Sequence, residues 1–235
     1  MYAASRRHCG ARSAPEPVTN PWRYIAACVA LLIVIHEAHE LAHTAVGRLL
    51  CGAWGPRDFN TWALPEGCTT WLPTLAGPVL SFGVMWAGWL VLRNRQAGWH
   101  LGVGLVLMAN PLGRLFTAAV GGGDEGVLVR QWFGLPRGAL ATTLAFGLVA
   151  ALSALPLAAA WRSLNLQRRL PAYLCLLILP MLVTGLLLFV LGNQLLRHGF
   201  LARPLIAGTA PLVWLVTLAA VVGLVAFRGA LSAAG

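Results

Sequence analysis

Residues 27–43 read Ala27-Cys28-Val29-Ala30-Leu31-Leu32-Ile33-Val34-Ile35-His36-Glu37-Ala38-His39-Glu40-Leu41-Ala42-His43. Nine apolar residues run directly into eight positions that hold five ionisable side chains. The run has the length and hydrophobicity of a membrane-spanning helix. A charged acid at the centre of such a helix costs about 2.5–3.5 kcal/mol on insertion. Acids and imidazoles placed there face the bundle interior, where they pair, hold a metal or take part in chemistry. The stretch therefore predicts a buried membrane helix that carries a site.

The rest of the chain agrees with lipid as its solvent. It has 235 residues, of which 58% are hydrophobic and 10% charged. A soluble domain usually carries about 25% charged residues. Six apolar stretches lie near 23–50, 71–92, 99–119, 138–160, 171–196 and 204–227. Each approaches or exceeds the roughly 20 residues needed to cross a bilayer core. Trp22, Tyr24, Trp71, Trp99, Trp161 and Tyr173 stand near their ends, as interfacial anchors do. The expected fold is all-α, a polytopic membrane helix bundle of about six transmembrane helices. Residues 1–22 read as a flexible polar tail, without a signal-peptide cleavage pattern. The chain then divides into 23–135, three spans with their loops and the ionisable cluster, and 136–235, three further spans.

Every basic residue is Arg, and the net charge is +10. The Arg fall mostly between apolar runs rather than on one patch, which argues for membrane loops and against nucleic acid as a partner. Lack of Lys beside abundant Ala, Gly and Leu points to a high-GC bacterial genome. No internal repeat appears, so an inverted-repeat transporter is not supported. No CxxC pair offers a thiolate metal site. Cys51 and Cys68 flank one loop; they read as free thiols unless that loop faces an oxidising compartment. Within the same loop, Phe59 to Leu64 suggests a short hairpin.

His39-Glu40-Leu41-Ala42-His43 is an HExxH motif. On a helix, positions i and i+4 share a face, so both imidazoles can reach one ion. Zinc lowers the pKa of a bound water to about 7, and Glu40 stands where it can take the proton. A catalytic zinc normally has three protein ligands. Asp124 is the expected third, beside Gly121-Gly122-Gly123, which let the backbone bend toward the site. Glu125 is its rival. His36 is an alternative ligand, more simply read as a hydrogen-bonded interior His. Glu37 is expected to pair with Arg48 or Arg114.

With these residues in place the sequence resembles the site-2 protease family of intramembrane zinc metallopeptidases. The likeness rests on HExxH inside a span, on Leu75-Ala76-Gly77-Pro78 opening the second span, and on Asn110-Pro111 ahead of Asp124-Glu125-Gly126. It covers residues 23–135. It implies a three-helix zinc-peptidase core, Zn2+ held by His39, His43 and Asp124, and Glu40 as general base and acid. It further implies Asn110 as a catalytic residue that holds substrate backbone or the oxyanion. The implied substrate is a single-pass membrane protein, cut in or near its transmembrane segment. The implied location is the bacterial cytoplasmic membrane.

Two questions stay open. With the N-terminus inside, ten Arg fall in cytoplasmic segments and five opposite, which favours that orientation. The resemblance implies the reverse. The main competing function is a non-proteolytic metal-binding membrane protein, a permease or an inactive scaffold. A di-iron oxygenase would need more than the six His present.

Overall fold

The computed structural model describes residues 20–94, 99–164 and 169–232. Most of the polar tail, with Arg6, Arg7, His8, Cys9 and Arg12, lies outside the described residues, as do Arg95 and Arg168. The described residues are all-helical, with no strand among them, and six of their helical segments are long and apolar enough to cross a membrane. It is a multi-pass membrane protein.

The first helix, α1 (Pro21–Cys51), has 31 residues. The Asn20 side chain accepts from Arg23 N at its start, where Pro21 already has helical φ. Gly52, at φ 78°, ends it in a left-handed turn and donates to the Arg48 carbonyl. α1 packs against α2 (Leu72–Arg93), α3 (Trp99–Met108), α7 (Arg169–Thr184) and α9 (Pro211–Leu231). Its spanning window is the most enclosed of the six. That position explains how it tolerates five ionisable groups.

The third apolar stretch is broken. Asn110, at φ 59°, separates α3 from α4 (Pro111–Ala119), and its Oδ1 caps α4 by accepting from Gly113 N at 3.2 Å. The connection after α4 contains a helix, α5 (Gly123–Phe133), which loop-like glycines concealed. α6 (Ala139–Ser163) packs against α2, α3, α4 and α5. α7 continues through a π-helical segment, Gly185–Gly192, into α8 (Asn193–Arg197), making one 29-residue span.

The last span begins later than the expected 204. Residues 201–210 are not helical; Ile206 and Thr209 form a bridge, and α9 starts at Pro211. Apolar residues fill this segment, so hydropathy alone extends the helix through it. The loop after α1 does turn back as a short hairpin, two residues earlier than expected. Arg57 bridges Trp62, and Asp58 Oδ1 accepts from Asn60 N and Thr61 N at 2.9 and 2.7 Å to shape the turn. Cys51 and Cys68 are joined in a disulfide, contrary to the free-thiol reading, because the hairpin returns the chain to the end of α1.

This hairpin re-enters the bundle. Phe59 at its tip is fully buried among Ile33, Leu188 and Val213. Gly192 leaves room for its ring, since a Cβ there would stand 2.6 Å from Phe59 Cε2. Irregular backbone at membrane depth is tolerated only where protein satisfies it. Here Arg57 N donates to Gly208 O, the Phe59 carbonyl meets His36 Nε2 at 2.6 Å, and Asn193 donates to Asn60 Oδ1 at 2.7 Å.

Candidate metal centre

α1 carries His39 and His43 one turn apart, and both rings turn toward α2 and α5. Their Nε2 atoms lie 3.0 Å from each other. Asp124 Oδ2 lies 3.1 Å from His39 Nε2 and 3.3 Å from His43 Nε2. Three donors from two helices thus form a nearly equilateral triangle. A tetrahedral zinc with bonds of about 2.0–2.1 Å spaces its ligands about 3.3–3.4 Å apart. The triangle is within a few tenths of an ångström of that face. Without a shared cation or proton, an acidic oxygen and two ring nitrogens would gain nothing from such convergence.

The second helix is shaped to this pair. Gly77 faces α1, and a Cβ on it would overlap His43 Nε2 and stand 2.5 Å from His39 Cε1. No other residue fits beneath the rings. One turn toward the helix start, the Pro73 carbonyl lies 2.6 Å from His43 Nδ1. A carbonyl can only accept, so Nδ1 carries the proton and Nε2 presents its lone pair to the triangle. One turn the other way, Ser81 Oγ lies 3.1 Å from His39 Nδ1. Positions 73, 77 and 81 therefore form one face of α2 built against the two imidazoles.

His39 Nδ1 has a second neighbour. Arg114 on α4 places a guanidinium nitrogen 2.7 Å from it, and its other end pairs with Glu125. Ser81 can accept a proton from Nδ1, whereas a guanidinium can only donate. The tautomer that offers Nε2 to a cation is the one in which His39 donates to Ser81 and Arg114 is drawn toward Glu125.

The α5 N-terminus delivers Asp124. Gly121 and Gly123, at φ 72° and 70°, turn the chain back toward α1 in a conformation that favours glycine. Glu125 points elsewhere, to Arg114, and is buried. His36 is occupied with the Phe59 carbonyl and stands edge-on to Phe189. Of the three candidates for the third position, Asp124 alone joins the imidazoles.

Glu40 is buried one position after His39, and its Oε2 has no hydrogen-bond partner. An orphaned buried carboxylate oxygen beside three converging donors is what a proton acceptor for a water at that point would look like. Trp62 of the hairpin covers the other side, stacked on His43 with centroids 4.5 Å apart and planes 13° apart. The exposure of the three donors differs: the Asp124 side chain is 23% exposed and that of His43 is 0%. The triangle is therefore most accessible from the α5 side.

Glu37 does not pair with Arg48 or Arg114. Its Oε2 lies 3.1 Å from Arg57, which also donates to Thr209 Oγ1 at 2.8 Å. Arg48 instead reaches the Gly52 carbonyl. Asn110 spends its Oδ1 on the α4 cap and makes no hydrogen bond to the triangle among the described residues. Sequence reasoning did not single out Ser81, Trp62 or Arg114 as neighbours of the imidazoles. The i+4 spacing of Ser81 from Gly77 was the one local signal available; the other two reach the site through tertiary packing.

No protein-family model matches the chain, and neither does any curated protein or solved structure.

Proposed function

We propose that the chain is a zinc-dependent endopeptidase that hydrolyses peptide bonds in or near the transmembrane segments of membrane proteins. The observation that carries this reading is the His39–His43–Asp124 triangle with the unpartnered Glu40 carboxylate beside it. Two imidazoles and one carboxylate, with a fourth position open to water, make a donor set suited to catalytic zinc. A Zn2+ held there would supply a water acidified to a pKa near 7 and a Lewis acid for the scissile carbonyl.

The protein's own groups do the rest. His43 is fixed by the Pro73 carbonyl and the Trp62 ring, and His39 by Ser81. Glu40 accepts the proton from the attacking water and returns it to the leaving amine. The partly exposed Asp124 side admits water to a site otherwise closed by helices. A substrate helix must unwind before its peptide bond can enter, because its carbonyls are already bonded within the helix. The resemblance assigned Asn110 to substrate; its Oδ1 caps α4, and its side-chain amide nitrogen takes no part in that cap. The expected setting is the bacterial cytoplasmic membrane.

The test is co-expression with candidate single-pass proteins, followed by immunoblotting and metal analysis of the purified chain. Glu40→Gln is expected to abolish cleavage while zinc remains bound at wild-type stoichiometry. His39→Ala is expected to lose both. Cleavage that persists at full rate in Glu40→Gln overturns the base assignment. Zinc bound without any cleavage by the wild type supports the second reading, a non-proteolytic metal-binding membrane protein, which shares the triangle but makes no use of Glu40.

A further inference from the structure

We infer that the metal centre opens on the oxidising, extracytoplasmic side of its membrane, with the N-terminus of α1 inside. Three independent features agree. The first is the Cys51–Cys68 disulfide, which closes the hairpin at the C-terminal end of α1. Such a bridge persists in oxidising compartments and is rare where cytosolic thiols keep cysteines reduced. It forms by exchange: the two thiols give up two protons and two electrons, and a disulfide-bearing oxidant of that compartment is reduced to a dithiol.

The second feature is the grouping of connections. Helices that alternate across a bilayer place the α1–α2 hairpin, the α4–α6 connection and the α8–α9 loop at one end. The contacts show that these three meet. Arg57 of the hairpin binds Thr209, Asn60 binds Asn193, and Trp71 meets Trp132 of α5 with ring centroids 5.6 Å apart. Asp124 enters the triangle from this same end. The disulfide and the exposed edge of the site therefore share a face.

The third feature is charge. By position in the sequence, ten Arg belong to the N-terminal side and the connections that return to it, against six at the site-bearing end once Arg48 in the last turn of α1 is counted. Excess Arg marks the cytoplasmic side. Arg57, at the site-bearing end, is moreover neutralised within the protein by Glu37. Charge and thiol chemistry thus give one orientation, opposite to the one the family resemblance implies.

The consequence for substrate rests on the peptidase reading: the scissile bond lies in the outer leaflet or just beyond it. Cleavage would free an extracytoplasmic segment rather than a cytosolic one.

The orientation is tested without any assay of catalysis, so its failure and that of the peptidase reading are distinguishable. The full chain is expressed with Cys9→Ser and Cys175→Ser, leaving the buried Cys28 in place. Arg137→Cys and Asn94→Cys are then added separately at exposed positions on opposite ends. A membrane-impermeant maleimide on intact cells is expected to label position 137 at once and position 94 only after permeabilisation. Non-reducing peptide mapping of protein alkylated at harvest is expected to return Cys51 and Cys68 as one linked pair. The reverse labelling pattern, or alkylated thiols at both 51 and 68, overturns the inference. Where a substrate is in hand, a cut mapped to the cytoplasmic half of its span overturns the substrate assignment alone.

Discussion

Two acid–arginine pairs flank α1, Arg57–Glu37 on the hairpin side and Arg114–Glu125 on the α5 side. Both are largely enclosed, and each joins consecutive elements of the chain. They differ in what lies behind them. Arg57 holds backbone: it ties the re-entrant hairpin to α1 and to the loop before α9, and it reaches the imidazoles only through Trp62, five residues on. Arg114 touches a proposed ligand directly, with a nitrogen 2.7 Å from His39 Nδ1, and its partner is the neighbour of Asp124. One pair holds the cover of the site, the other sets the spacing of its donors. Similar electrostatics therefore support stability on one side and ligand geometry on the other.

The sharpest way to break this distinction is Arg114→Leu. It strands Glu125 in a buried position, at about 3–5 kcal/mol. It also removes the restraint on Asp124, so zinc affinity should fall by about 10–100-fold, as for other groups that orient metal ligands. Thermal unfolding in detergent and zinc competition with a chelating dye measure the two effects. Arg57→Leu should destabilise by a similar ~3–5 kcal/mol through the orphaned Glu37, yet leave zinc affinity near wild type. Equal losses of affinity in the two variants would erase the contrast. A smaller change is expected when both members of the hairpin pair are replaced together. Arg57→Met with Glu37→Leu removes the stranded charge, and stability should return to within about 1 kcal/mol of wild type. The smallest effect on metal binding belongs to Trp62→Ala. Losing the stacking on His43 should cost ~0.5–1.5 kcal/mol beyond the lost burial, read as a lower unfolding temperature with zinc stoichiometry unchanged.

The parts of this architecture that could be read from the sequence are those written in local spacing. The i, i+4 imidazoles of α1, the lengths of the six apolar runs and the glycines before Asp124 all fix geometry within one or two turns of chain. The pairing of Glu37 was not readable. Its partner sits on a loop whose path depends on Phe59 finding a space opposite Gly192 in a later helix. The same holds for Ser81 and Arg114, which meet His39 only after α2 and α4 have packed. Asn110 illustrates a different limit. An Asn-Pro pair marks a helix start as well as a substrate-binding element, and only the backbone, at φ 59° with Oδ1 on Gly113 N, displays the capping function. The late start of α9 reflects a third cause: apolar residues at 201–210 satisfy a hydropathy window while their backbone turns and bridges.

The anchoring of Arg57 by Thr209 also carries a timing. These residues are 152 positions apart, so while the ribosome is still translating the middle of the chain, the hairpin has no fixed seat. The HExxH helix is inserted first, but the lid over His43 is complete only once the final helix has been made. A truncated or half-synthesised chain would thus lack the seat of Arg57 and, with it, a fixed position for Trp62 over His43.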